Sequence, residues 1–128
     1  MAVITSFRDL DVYKLAREQA GIVFTISKSF PNQEKYSLTD QIRRSSRAVD
    51  AMIAEAWARR RYPAAIINKI SETLGEAMET QAWLDHAVDC SYINLKQHRE
   101  LDDNWQHIGA MLNRMIERVA DFCTAVRK

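Results

Sequence analysis

The chain has 128 residues, 47% of them apolar and 27% charged, with a formal net charge of +1. That length is enough for one domain over residues 1–128, burying roughly two thirds of its unfolded surface. The small net charge gives no reason by itself to expect nucleic acid. No stretch approaches the length of apolar sequence a membrane span needs, and the first residues lack the apolar core of a signal peptide, so the cytoplasm is the default location.

Three glycines and two prolines are few, which points to helices. The first is expected from residue 11 to about 29, where Val12, Leu15, Ala16, Val23, Ile26 and Phe30 share a face. Asp9 or Asp11 can cap its start, Pro31 marks its end, and Phe7 and Leu10 are expected to fold back onto the bundle. Ser37 is a candidate N-cap for the second helix, with Asp40 in the third position of a capping-box variant. The seam of that helix is Leu38, Ile42, Val49, Ile53 and Trp57. Arg43, Arg44 and Arg47 flank or oppose this seam, and Arg59, Arg60 and Arg61 end the helix before Pro63.

The third helix is expected from about residue 64 to 90, with a seam of Ile67, Ile70, Leu74, Ala77, Met78, Gln81, Leu84 and Val88. On this wheel Glu72, Glu76 and Glu79 form an outer acidic stripe and Trp83 also points outward. A large exposed aromatic suggests an interface. Asn94 and Gln97 resemble a second capping pair. The fourth helix then runs to about residue 126 with Leu101, Trp105, Ile108, Leu112, Met115, Ile116, Val119, Phe122 and Cys123 as its seam. Four such helices with short connections predict an all-α, antiparallel up-down-up-down four-helix bundle. Cys90 and Cys123 are in no metal spacing and are expected to be small buried residues with free thiols.

Charge is unevenly spread. Residues 37–61 hold six basic and three acidic groups, and residues 62–103 hold three basic and eight acidic. The two segments can attract each other within a bundle or between subunits, or the basic one can face RNA or DNA. Chemistry has little to stand on. No glutamate lies three residues before His86, His98 or His107, as a di-iron bundle would need. None has an arginine five to seven residues before it, as a HEPN-type nuclease would. No metal, cofactor or small-molecule substrate is expected. Asp103 with His107, and Glu55 with Arg59, are spaced to pair on a helix surface.

Three stretches carry a resemblance: FRDLDVYKLA, FPNQEKYSLTDQIRRS and NLKQHRELDDNWQHIGAMLNRMI. Phe7, Asp9, Leu10, Val12 and Tyr13, then Phe30, Pro31, Glu34, Tyr36, Leu38, Gln41, Ile42, Arg43 and Arg44, then Ile53, Ala54 and Glu55 fall on the pattern of a known family. The chain resembles the four-helix-bundle proteins of 23S ribosomal RNA intervening sequences. It departs from them at Asp50, Met52 and Ala56, where the family commonly has Pro, Asn and Gly, and this favours an uninterrupted second helix. The resemblance implies a homo-oligomer, a ring of five, and a distant likeness to accessory proteins of retroelement reverse transcriptases that bind nucleic acid through a basic barrel.

Two functions follow as expectations. One is a non-catalytic protein gripping phosphates through Arg43, Arg44, Arg47, Arg59, Arg60 and Arg61. The other is a structural or interaction module without a nucleic-acid partner. In the second, Trp83, Glu72, Glu76 and Glu79 meet the next subunit.

Overall fold

A computed structural model describes residues 4–124. Four long helices make up most of it: α1 (Asp11–Ser27), α2 (Leu38–Ala58), α3 (Pro63–Asp89) and α4 (Leu95–Glu117), followed by a short α5 (Val119–Thr124). There is no strand among the described residues. Single 3-10 turns at Phe7–Asp9 and Asn32–Glu34 precede α1 and α2.

Side-chain pairs fix how the helices run. Arg44 meets Glu76 and Lys69 meets Glu55, so residue numbers rise on α2 as they fall on α3. Asp85 meets His98 while Gln81 meets Gln106, which sets α4 antiparallel to α3. Ser27 meets Arg43, and Phe24 meets Arg47, which sets α2 antiparallel to α1. A groove lined by Val12 and Met115 at one end of α1, and a second lined by Ile26 and Gln97 at the other, place α4 antiparallel to α1 and close the bundle.

The expected wheel for α3 needs correction. Its buried residues are Ile66, Ile70, Thr73, Ala77, Thr80, Leu84 and Ala87, an alternation of steps of four and three that is the heptad seam of a coiled-coil-like bundle. Met78, expected on the seam, is 57% exposed. Large apolar residues had drawn the predicted seam too far round the helix. The true seam contains two threonines and two alanines, which let α3 approach α2 closely. Thr80 satisfies its hydroxyl on the Glu76 carbonyl at 3.0 Å and meets the Ser45 hydroxyl of α2 at 2.8 Å, so the buried polar atoms are paired rather than stranded. Turning the wheel toward Thr73, Ala77 and Thr80 also brings Glu76, Glu79 and Trp83 off the outside: all three are half-buried, and Trp83 packs against the core.

The caps follow the expectation in part. Asn94 Oδ1 accepts from the Gln97 backbone N–H at 2.8 Å, and Gln97 Oε1 accepts from the Asn94 N–H at 2.9 Å, a reciprocal capping box. Asp9 accepts the N–H groups of Thr5 and Ser6 and so serves the turn before α1, not α1 itself. Ser37 precedes α2, but its side chain does not cap it; its hydroxyl donates to Glu34 Oε1 at 2.6 Å. The fourth helix is not continuous to residue 126. It breaks at Arg118, and the short α5 sets Phe122 edge-on to Trp57, with ring centroids 6.4 Å apart. Residue 126 lies outside the described residues. Cys123 is buried as expected, whereas Cys90 is exposed because it follows the last buried turn of α3.

The connection after α1 is tied to the one after α3. Phe30 packs on the Tyr92 ring at 5.5 Å, and the Tyr92 hydroxyl donates to Glu34 Oε2 at 2.8 Å. The Ser37 hydroxyl first, and Tyr92 second, hold the Glu34 carboxyl below the usual glutamate range. A depressed carboxylate contributes stability above its unfolded pKa, and that contribution is lost as pH falls through the folded value. Tyr92→Phe should therefore lower the melting temperature at neutral pH, and its curve should converge with the wild type in acid. A melting difference that is the same at every pH would place the loss in packing, not in this bond.

Candidate nucleic-acid interface

The six candidate arginines divide into three groups. Arg44 leans from α2 toward α3, where it pairs with both Glu76 and Glu79. Its side chain is 48% exposed against 24% and 37% for the two glutamates, so the pair contributes only about 0.2–1 kcal/mol. Glu79 also accepts from the Trp83 indole N–H at 3.3 Å. Glu55 does not pair with Arg59 as expected: Lys69 lies 3.1 Å from it and 3.4 Å from Glu72. These contacts pair Glu72, Glu76 and Glu79 with cations inside one chain. Opposed charge on the second and third helices is thus an intramolecular match.

Arg43 and Arg47 lean the other way, toward α1. The Arg43 guanidinium lies 4.6 Å from the centre of the Phe24 ring and that of Arg47 4.8 Å from it. Lys28 Nζ lies 5.0 Å from the same centre. Arg43 Nε donates to the Ser27 hydroxyl at 2.7 Å, which fixes its direction. Phe24 attracts each cation through its ring face, but the cations repel one another. Among the described residues no ion pair ties any of the three to a carboxylate. The compensating charge that does act here is Asp50, one of the positions where the chain departs from the family pattern. Burial holds the Asp50 carboxyl above the usual aspartate range, against a smaller downward pull from the Ala51 backbone N–H and from the charges of Arg17 and Arg47. Two cations, Arg17 and Arg47, thus act on one half-buried carboxylate. Lys28, Phe24 and Arg17 were not singled out from the sequence, because they lie on a different helix and only the α1–α2 packing brings them to the arginines.

The third group closes α2. Arg60 stacks over Trp57 at 3.9 Å and donates to the Trp57 carbonyl at 2.9 Å, while Arg59 and Arg61 are exposed. Twelve residues separate Arg47 from Arg59, about 18 Å of helix. The basic surface is therefore two separate patches.

Other residue sets are less convergent. Asp103 and His107 are both exposed, with no hydrogen bond between them among the described residues. A groove of about 230 Å3 beside the start of α1 is lined largely by Leu10, Val12, Met111, Met115 and Phe122. It brings together no nucleophile with a base. No helix among the described residues is long and apolar enough to cross a membrane.

A bundle of four antiparallel helices, with cations on its α1–α2 face that no ion pair among the described residues holds, defines the class. Over residues 8–114 the sequence matches the 23S rRNA-intervening sequence proteins, and the chain belongs to that family. It is similar to a crystal structure from Bacteroides thetaiotaomicron, described as a protein of unknown function from the S23 ribosomal protein family. The two share 29% identity, with a TM-score of 0.74, over 82% of this chain and 97% of that one. Curated proteins give no match.

Proposed function

We propose that this chain is a non-catalytic, cytoplasmic bundle protein that assembles into a homo-oligomer, a ring of five, and binds RNA or DNA phosphates through its α1–α2 face. The observation that carries the proposal is the convergence of Lys28, Arg43 and Arg47 on Phe24 without a paired carboxylate. A cluster of like charges that the protein leaves unpaired is stabilised by an external anion, and a ring would repeat it around a symmetric surface. Guanidiniums held by an aromatic ring and a serine hydroxyl present donors to phosphate oxygens, and such contacts position a nucleic acid without reading its sequence. Met78 and Leu95, 57% and 74% exposed, offer apolar surface to a second copy.

The proposal sets Arg43 and Arg47 apart from Arg44. In filter-binding titrations against structured RNA and duplex DNA, affinity should fall steeply with salt. Arg43→Glu/Arg47→Glu should lose at least about tenfold, and its log–log salt slope should shrink by about two, one per lost phosphate contact. Arg44→Met, which removes a guanidinium already committed to Glu76 and Glu79, should bind like the wild type. Undetectable binding at low salt, or full affinity in the double variant, sinks this reading. It would leave the structural or interaction module without a nucleic-acid partner. Sedimentation checks the assembly separately: a monomer at every concentration rules out the ring.

A further inference from the structure

We propose that Asp85, His98 and Asp102 form a binding site for a divalent transition-metal ion that clamps α3 to α4. The expectation of no metal rested on the spacing of ligands inside a bundle, where His98 has Leu95 three positions before it. The structure builds a different arrangement at the bundle's edge. His98 and Asp102 are four apart on α4 and so stand one above the other on the same face. Asp85, in the last turns of α3, faces them: its Oδ1 lies 2.8 Å from His98 Nε2. One ligand atom from each of the three residues lies within 4.8 Å of the other two.

These separations suit an ion. Bonds of about 2.1 Å in tetrahedral arrangement set donor atoms about 3.4 Å apart. The His98–Asp85 contact has to open slightly and the widest gap has to close. Asp85, with a side chain 65% exposed, is free to rotate, while His98 is only 22% exposed and stays in place. Asp102 is aimed from behind. Its Oδ1 accepts from Gln81 Nε2 at 3.1 Å, and the same amide nitrogen donates to Gln106 Oε1 at 3.1 Å. Outer partners of this kind hold a ligand's orientation and raise affinity.

The donor set selects the ion. A neutral imidazole and two carboxylates carry two negative charges, which match a divalent cation. They also lie in the segment 62–103, with its eight acidic and three basic residues, which raises the local cation concentration. Imidazole nitrogen favours Zn2+, Co2+ or Ni2+ over Mg2+ and Ca2+, which prefer all-oxygen shells. Three protein ligands leave at least one position to water. Metal-free, the His98–Asp85 contact and the Gln81 amide bridge the two helices; metal-loaded, three ligands from both helices share one centre.

The protein supplies its own control. Asp103 and His107 have the same spacing on α4, but they are exposed and no third ligand joins them among the described residues. Untagged full-length chain would be titrated with Zn2+ by calorimetry, and with Co2+ by visible absorption, which reports ligand geometry. The wild type should bind one ion per chain and melt at higher temperature with the metal. His98→Ala and Asp102→Asn should abolish saturable binding, Gln81→Leu should weaken it by about 10–100-fold, and His107→Ala should bind as the wild type does. Far-UV circular dichroism of the metal-free variants checks that each is folded. No saturable binding by the wild type, or unchanged binding by folded His98→Ala, overturns the site and leaves an ordinary hydrogen bond between two helices.

Discussion

Thr80→Asp should destabilise the protein by roughly 3–5 kcal/mol, enough to unfold much of the population of a marginally stable domain. Met78→Asp, two positions earlier, should change the stability of the unassembled chain by no more than about 0.5 kcal/mol. The contrast comes from the heptad seam of α3. Thr80 is fully buried, and its hydroxyl sits between the Glu76 carbonyl and the Ser45 hydroxyl. A carboxylate there would be larger, would lose both partners' geometry, and would have no cation within the seam. It would either stay charged in a poorly solvated site or take up a proton, and both cost free energy. Met78 lies at the solvent side of the same helix. Urea unfolding followed by far-UV circular dichroism measures both. Similar losses for the two variants would mean that α3 is rotated from the orientation described.

Trp105→Ala should cost about 3–5 kcal/mol, the upper range for removing a large core side chain. Trp105 is fully buried on α4, and its indole N–H has no acceptor among the described residues. Burying a donor without a partner costs roughly 1–3 kcal/mol. Trp105→Phe removes that donor together with part of the ring, so relief of the unsatisfied N–H offsets part of the cavity left behind. Its net cost should be markedly smaller, roughly 1–2 kcal/mol. Denaturant midpoints at equal slope decide it. A Trp105→Phe cost well above about 2 kcal/mol would mean that losing the N–H brings no relief, and so that the N–H is satisfied.

Helix existence was readable along the chain because each helix repeats its apolar residues at three and four. The α4 seam of Leu101, Trp105, Ile108, Leu112 and Met115 was predicted correctly, since its large residues and its heptad coincide. In α3 they do not coincide. Met78 and Gln81 competed with Thr73 and Thr80, and periodicity cannot know that a threonine has a hydroxyl waiting for it on the next helix. The break at Arg118 had no proline or glycine to announce it. The residues shared with the family pattern near the first connection have a visible role in Phe30 and Glu34, which hold Tyr92 across the bundle end. Tyr36, on the same pattern, stands 83% exposed.

The arginines mark the boundary most clearly. Spacing on α2 placed Arg43, Arg44 and Arg47 outside the core, because helical geometry is local and every residue carries it. Which of them are free is a property of the neighbouring helices. Arg44 is neutralised by Glu76 and Glu79 because α3 is turned to bring them there, and Arg43 and Arg47 meet Phe24 and Lys28 because α1 lies on the other side. His98 follows the same rule: its partner Asp85 is thirteen residues away and on another helix. Helices, caps and family are written in short-range pattern. The pairing of charges, and with it the candidate sites for phosphate and metal, arises only when packing sets distant residues within a few ångströms.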